Sequence, residues 1–380
     1  MPKRLILALT LLLASANLAS ACLWDHDTLL MERRRFPTVV ELISGKFLRH
    51  SPEFYQWRVA DRTAKLKADP SRLDWYDDLA VAHHKLGDNK KAIEIILQKD
   101  KLQPGLYETE ANLGTFLLFD GQWEEALKHV RKALEINPNA HFGREKYQAY
   151  LIEYVLPRLK DGKPNFPLNK VKLPEEKYEL TFRDFLALRD PKMNHGFERS
   201  EAANAVLGMM HFADYRSPLL LEALASLMTS PFEQGEQRLA ARALLKAAHE
   251  INDTEIANKY RRQADEVLHL QVGEQVAKVE SELKHEIAEA DAWFAEVRAA
   301  EIEWIRSGKD PEAEFAQRFP EEPTITMPAE DPAPVTPEQR LVSVAKQTAA
   351  VIAILLLVMA IATWKWIGAR RRRARIAAAT

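Results

Sequence analysis

Residues 114–138 read GTFLLFDGQWEEALKHVRKALEINP, and the same pattern of small, apolar and turn residues occurs 34 residues earlier in the chain. Pro70, Pro104 and Pro138 share this spacing. The other matched pairs are Leu79 with Leu113, Ala80 with Gly114, Gly87 with Gly121, Ala92 with Ala126, Ile96 with Val130 and Leu102 with Ile136. This period indicates a repeated helix–turn–helix unit, which buries its apolar surface by stacking on its neighbours.

Helix packing and turn geometry explain the residue types at the matched positions. Ala80 and Gly114 are small where the two helices of a unit cross closely, and Gly87 and Gly121 fall in a turn that needs a left-handed backbone. On these residues, 71–138 resembles two complete tetratricopeptide repeats, over about a fifth of the chain. The resemblance implies an all-α fold, an α-solenoid of helical hairpins. Only 13 glycines, with abundant Ala, Leu, Glu and Lys, also favour helix.

The composition and the repeats predict a division of the chain into nine segments. They are a signal peptide at 1–21, an N-terminal helical lead-in at 22–70, repeats at 71–156, a connecting segment at 157–199, a second block of helical hairpins at 200–270, a long charged helix at 271–308, a Pro-rich acidic linker at 309–342, a transmembrane helix at 343–367 and a basic tail at 368–380. The repeats comprise 71–104, 105–138 and a capping helix at 141–154.

The N-terminus has the pattern of a signal peptide. Lys3 and Arg4 precede a short apolar run, and the small residues 19–21 offer a cleavage site. Cys22 follows at once and resembles the lipidated cysteine of a bacterial lipoprotein, although the leucine usual in that motif lies one residue too early, at Leu18. Ordinary cleavage that leaves a free thiol is the alternative. As the only cysteine, Cys22 excludes an intrachain disulfide.

The C-terminus predicts a single membrane span. Residues 348–367 carry one charge, Lys365, and are long enough to cross a bilayer as a helix. Trp364 and Trp366 suit the membrane interface, and the arginines at 370–373 and 375 indicate a cytoplasmic tail. Together with the signal peptide, this places everything before the span on the periplasmic side.

Helix-capping residues indicate where the helices of the second block, 200–270, begin. Ser200 predicts a helix over 201–214, Ser217 with Pro218 begins another, Ser230 with Pro231 leads into an alanine-rich helix through 250, and Asp253 caps a fourth. The Lys- and Pro-rich residues 157–178 are interpreted as a loop.

A long helix at 274–306 carries an apolar stripe that Glu301 interrupts. The stripe can associate with a second chain or pack on its own chain; its short length and its one charged position favour packing on its own chain. Residues 310–338 contain seven prolines and are interpreted as an extended stalk that reaches on the order of 60 Å.

No catalytic motif is present: the chain lacks a Gly-rich phosphate loop, paired cysteines, a zinc-binding His-Glu-x-x-His and a nucleophile elbow. We therefore predict no cofactor and no metal. The net charge of −2 gives no support to nucleic-acid binding. His83 and His84 are adjacent, and the repeat pattern places His83 in the core and His84 in the groove.

In the family that the repeats resemble, the first helices of successive units line a concave groove. The resemblance implies a groove formed by Asp74, Asp77, Val81, His84, Glu108, Asn112, Thr115, Phe119, Phe142, Glu145 and Lys146. Asn112 and Lys146 match a clamp for a C-terminal carboxylate, but Asp77, Val81 and Phe142 depart from it. An acidic residue there repels a carboxylate, which favours a basic or mixed peptide as the partner.

Three functions remain open from the sequence. The first is a binding scaffold of the cell envelope that holds an unidentified protein or peptide in the groove. The second is a structural tether fixed at both ends, with lipid at Cys22. The third is an enzyme with an unrecognised site in 157–270, which the absence of motifs disfavours.

Overall fold

The computed structural model describes residues 25–26, 34–138, 143–174, 176–190, 193, 196–229, 234–269 and 275–326. Apart from Thr326, these residues belong to one unit, Met1–Ile325. The predicted signal peptide, Cys22, Phe142, the transmembrane helix and the basic tail lie outside the described residues. Among the helices that are described, none is both long and apolar enough to cross a membrane.

The described residues form fourteen α-helices and almost no strand, which confirms the all-α class. The helices are α1 Val39–Ser44, α2 Pro52–Ala68, α3 Leu73–Lys85, α4 Asn89–Leu102, α5 Tyr107–Phe119, α6 Trp123–Ile136, α7 Arg144–Val155, α8 Phe182–Arg189, α9 Gly196–Phe212, α10 Pro218–Met228, α11 Gln234–Glu250, α12 Thr254–His269, α13 Val276–Arg306 and α14 Pro311–Arg318. Strands β1 Leu159–Lys160 and β2 Lys163–Pro164 pair as a small antiparallel hairpin.

The hairpins α3–α4 and α5–α6 begin and end 34 residues apart at all four helix boundaries. Their turns contain Gly87 with φ 86° and Gly121 with φ 80°, so both glycines have the predicted left-handed backbone. Ala80 is fully buried, and a methyl group at Gly114 would lie 2.6 Å from Val130 Cγ2. The small residues therefore permit the close helix crossing that the sequence predicts.

The chain turns back on itself. Successive helices from α2 to α7 pack side by side, α9 packs on α7, and α10, α11 and α12 continue the series. Helix α13 then returns to contact α11, α12, α2 and α1. The short helix α1 contacts α9, α11 and α13, and its Leu42 and Ile43 are completely buried. The N-terminal lead-in is therefore part of the central core.

Helix α13 packs on its own chain, the alternative that the sequence favours. Arg242 of α11 binds both Glu282 and Glu286 of α13, with nitrogen–oxygen distances of 2.7 and 3.0 Å. Glu301, which interrupts the apolar stripe, is completely buried. Its carboxylate lies 2.5 Å from His50 Nδ1 and accepts a hydrogen bond of 2.8 Å from Ser51 N, so the charge has polar partners in the loop before α2.

The predicted stalk begins too early, because 310–325 is folded onto the helical body; we call this segment the strap. Asp310 Oδ1 accepts from Glu312 N at 2.9 Å, Pro311 occupies the first turn, and Phe315 is buried against α13. Proline at the start of a helix is compatible with helix formation. The interpretation of 310–325 as extended chain is therefore wrong, and the rest of the predicted stalk lies outside the described residues.

The connecting segment also contains structure that the sequence analysis does not predict. Thr181 and Asp184 form a capping box at the start of α8, whose Phe182, Phe185 and Leu186 are buried. Glu222 of α10 accepts hydrogen bonds from the backbone of Leu168 and Asn169 at 3.0 and 2.7 Å. These contacts join segments that are distant in the sequence, so no local sequence pattern predicts them.

Three of the four predicted boundaries in the second block can be compared with the structure. Helix α9 begins at Gly196, so the predicted start after Ser200 is wrong. Ser217 and Pro218 do begin α10. Asp253 Oδ1 accepts from Glu255 N and Ile256 N at 2.8 and 3.1 Å, which confirms its predicted role as a cap.

Candidate functional site

Three residues of the predicted groove are buried inside the repeats. Asp77 is 2% exposed, Asn112 is 0% exposed and Thr115 is 1% exposed. Lys99 Nζ lies 2.6 Å from Asp77 Oδ2, and Asn112 Nδ2 donates to Asp77 Oδ1 at 3.1 Å. Burial raises the pKa of Asp77, while Lys99 and Asn112 oppose that rise. These side chains join α3, α4 and α5, so the prediction that they face an open groove is wrong.

The next helix pair is joined in the same way. Gln148 Nε2 donates to Thr115 Oγ1 at 3.3 Å, and Tyr107 O–H donates to the buried Glu145 Oε1 at 2.7 Å. Val81 is buried as well. Helix α5 is buried around almost its whole circumference, which is why its polar side chains bond to neighbouring helices.

Four predicted groove residues keep some exposure. Asp74 pairs with Arg72 at 2.7 Å on the surface, Glu108 and Lys146 are half-buried, and Phe119 is 37% exposed. Among the described members of the predicted groove, His84 and Phe119 line one cleft together, with ring centroids 4.8 Å apart. The remaining predicted residue, Phe142, lies outside the described residues.

His84 and Phe119 line a cleft of about 540 Å³ at the turn end of the repeats. We call it the aromatic cleft, because rings from distant parts of the chain form its walls. Its lining residues are Phe47, Arg49, His50, Pro52, Tyr55, His84, Lys85, Gly87, Asn89, Phe119, Met210, His211, Ala213, Asp214, Tyr215, Arg216, Asp291 and Phe294. They come from the α1–α2 loop and the start of α2, the turn between α3 and α4 with the adjoining helix ends, and the end of α5. The others come from the end of α9, the loop between α9 and α10, and α13.

Arg49 is surrounded by three of these rings. Its guanidinium carbon is 3.9 Å from the ring centroid of Phe294, 5.1 Å from that of Tyr215 and 5.3 Å from that of Phe47. Its Nη1 donates to the backbone oxygens of Gly45 and Phe47. Within the part of the chain that the structure describes, no carboxylate forms an ion pair with it, and burial lowers the pKa of Arg49.

Three buried histidines, His50, His84 and His211, line the same cleft. Burial lowers the pKa of both His84 and His211 to about 3, so both are neutral at pH 7. His84 Nδ1 lies 2.7 Å from Asn89 Oδ1. Neither ring nitrogen of His211 has a hydrogen-bond partner among the described residues. Lys85 Nζ donates to the carbonyls of Phe212 and Ala213 at 2.6 and 2.9 Å, which ties the α3–α4 turn to the end of α9.

Sequence reasoning identifies only His84 and Phe119 among the lining residues. Arg49 belongs to the lead-in that had no assigned role, and Tyr215 and Arg216 lie in a loop of the second block. They meet the repeats because the chain turns back on itself, and nothing in the repeat pattern encodes that closure.

The cleft combines aromatic rings with charged side chains. In the described ranges, no group of three or more His, Cys, Asp or Glu side chains could hold a metal ion. No family model matches the chain, and no curated protein matches it. The fold and the cleft are therefore the basis for a proposed function.

Proposed function

We propose that the chain is a non-catalytic binding scaffold of the tetratricopeptide-repeat type. The observation that carries this proposal is the pair of hairpins α3–α4 and α5–α6, which share all four helix boundaries at a 34-residue offset and have left-handed glycines at equivalent turns. Hairpins stacked in this way make an elongated, rigid surface that suits protein binding.

We further propose that this scaffold works at a membrane of the cell envelope. The support is the sequence alone: a signal-peptide pattern at 1–21, an apolar stretch at 348–367 and a run of arginines after it. In this arrangement the helical body lies on the periplasmic side and the tail in the cytoplasm. Cys22 as a lipid attachment site stays a prediction.

The binding surface we propose is the aromatic cleft. The inner residues of the predicted groove bond to one another, whereas Phe119, Tyr215 and Phe294 keep accessible surface in the cleft. Aromatic and arginine side chains are the types that contribute most to protein interfaces. The cleft combines both.

The test is a crosslinking pull-down of the full-length chain from membranes, with the captured proteins identified by mass spectrometry. A cleft variant combines Phe119→Ala with Arg216→Glu, two changes at exposed residues that line the cleft. A matched control combines Leu188→Ala with Lys128→Glu, which make the same two kinds of change at exposed residues outside the cleft.

We expect specific proteins to copurify with the wild type and the control and to be lost from the cleft variant, while all three chains melt at similar temperatures. The proposal fails if the cleft variant captures the same proteins as the wild type. If no chain captures a protein above background, the structural tether becomes the better explanation, and incorporation of labelled palmitate at Cys22 would then support it.

A further inference from the structure

We propose that the aromatic cleft binds a carboxylate carried on an apolar or aromatic group, with the Arg49 guanidinium as the counter-ion. The inference rests on the proposed function, since it assigns the chemistry of the partner segment that enters the cleft. Its support comes from the charges, the rings and the volume of the cleft.

Arg49 forms no ion pair with a carboxylate among the described residues, and the exposed Asp291 acts on its charge only from a longer distance. The residue is half-buried, and its Nη1 donates to the backbone carbonyls of Gly45 and Phe47. Two buried arginines elsewhere in the fold show the contrast: Arg58 binds Glu312 at 2.8 Å, and Arg242 binds Glu286 at 3.0 Å. A buried charge without a partner is unfavourable, so binding an anion at Arg49 recovers part of that free energy.

The charged side chains of the cleft favour a ligand that carries a single negative charge. Arg49, Lys85 and Arg216 are its cations, and Asp214 and Asp291 are its carboxylates. Asp214 Oδ1 already accepts a hydrogen bond of 3.0 Å from Arg216 N, and Asp291 is exposed. His84 and His211 add no charge at pH 7. This balance suits a monoanion, because the two carboxylates would repel the doubly charged form of a phosphate.

The rings fix the geometry of the guanidinium and supply the apolar contact. Stacking over Phe294 and beside Tyr215 holds the planar group in place. A held guanidinium can offer two parallel N–H donors to a carboxylate, which an ammonium cannot do. The volume of about 540 Å³ lies in the usual range of ligand sites and accommodates an aromatic side chain together with its carboxylate.

A carboxylate of this kind has two sources in a protein partner, a free C-terminus and an Asp or Glu side chain next to an apolar residue. Three probes separate them: N-acetylphenylalanine, its neutral amide, and N-acetyl-aspartyl-phenylalaninamide. The first carries a terminal carboxylate, the second none and the third a side-chain carboxylate. Isothermal titration of the purified full-length chain in detergent micelles, with empty micelles as the blank, measures the affinity of each.

We expect at least one carboxylate probe to bind with a Kd on the order of 1 mM, as suits so small a ligand, and the neutral amide to bind at least tenfold more weakly. The probe that binds identifies the source. Arg49→Gln should reduce binding at least tenfold. Arg49→Lys keeps the charge without the planar donors and should give an intermediate affinity. Arg72→Gln, which changes an exposed arginine outside the cleft, should leave the affinity unchanged.

Equal binding of the carboxylate and the amide, or no saturable binding by any probe, overturns the inference. This decision uses the wild type and holds even if Arg49→Gln fails to fold, which thermal melting would detect. Partners lost from the cleft variant in the pull-down, together with probes that do not bind, would leave the scaffold standing and reject the carboxylate. Probes that bind without any captured protein would support a small carboxylate ligand and count against the scaffold.

Discussion

Gly114 is the residue at which the two helices of the second hairpin approach most closely. A methyl group there would lie 2.6 Å from Val130 Cγ2 and 3.2 Å from Val130 N. We expect Gly114→Ala to lower the free energy of unfolding by about 1–3 kcal/mol, because the crowding outweighs the better helix propensity of alanine. Chemical denaturation followed by circular dichroism measures the change.

Val130 supplies the control for this prediction. In a Val130→Ala background the 2.6 Å contact disappears and the 3.2 Å contact with the backbone nitrogen remains, so Gly114→Ala should cost much less than in the wild type. An equal loss in both backgrounds would show that the contact between Gly114 and Val130 is not the cause.

The buried histidine His211 gives the fold a dependence on pH. Its pKa is about 3 in the folded protein and about 6.5 in the unfolded chain, so below pH 6.5 the unfolded state takes up a proton that the folded state does not. Stability is therefore lost as the pH falls from 6.5 towards 3. The wild type should lose free energy of unfolding between about pH 7.5 and 5.5. We expect this loss to be about 1 kcal/mol smaller in His211→Phe. Equal losses in the two proteins, measured by denaturation, would contradict this assignment.

The sequence predicts the roles of the small residues well, but it predicts poorly which polar side chains are exposed. Ala80, Gly87, Gly114 and Gly121 have their predicted roles because helix crossing and turn geometry depend on neighbours within one repeat. The family resemblance places Asp77 in the groove, yet Lys99 and Asn112 bind its carboxylate inside the protein. That pairing depends on side chains from three helices, which a one-dimensional pattern does not reveal.

At the scale of elements, Glu301 explains why α13 packs on its own chain. Its carboxylate binds Ser51 N and His50 Nδ1 at 2.8 and 2.5 Å. Glu301→Leu would complete the apolar stripe of a coiled coil. We nevertheless expect it to destabilise the protein by about 1–3 kcal/mol for each buried group that loses its partner, and to leave the oligomeric mass unchanged.

Denaturation and light scattering test both parts of this prediction. Glu303→Leu makes the same chemical change at an exposed position of α13 and should alter stability little. A Glu301→Leu protein that is more stable and forms a larger oligomer would favour self-association of α13 through its stripe.

Periodicity identifies helices that contain their own signals and misses those that depend on distant partners. Helices α3 to α6 follow the 34-residue pattern, and α10 and α12 begin at recognisable caps. Helix α14 lies in a segment whose prolines indicate extended chain, but Asp310 and Pro311 start a helix there and Phe315 is buried against α13. Proline content is a property of a whole stretch of sequence, whereas helix formation depends on the position of each proline within the helical turn.

At the scale of the whole chain, the strap joins the beginning of the described chain to its end. Glu312 binds Arg58 and Arg62 of α2 at 2.8 and 2.6 Å, and Arg62 also binds Asp78 of α3 at 2.7 Å. Further along the strap, Glu322 accepts from Leu48 N at 2.9 Å. Since Arg58 is completely buried, its partners contribute to stability by compensating a charge that water cannot reach.

These contacts predict how far the chain can be shortened without loss of stability. A chain that ends after Thr326 keeps the strap, whereas one that ends after Lys309 loses Glu312 and the buried Phe315. We expect the shorter chain to melt several degrees lower, because removal of one partner of a buried ion pair costs about 3–5 kcal/mol. Glu312→Ala in the longer chain should reproduce part of this loss without any truncation. Equal melting temperatures for the two chains would mean that the strap adds nothing to the fold, and would restore the interpretation of 310–325 as the start of an extended stalk.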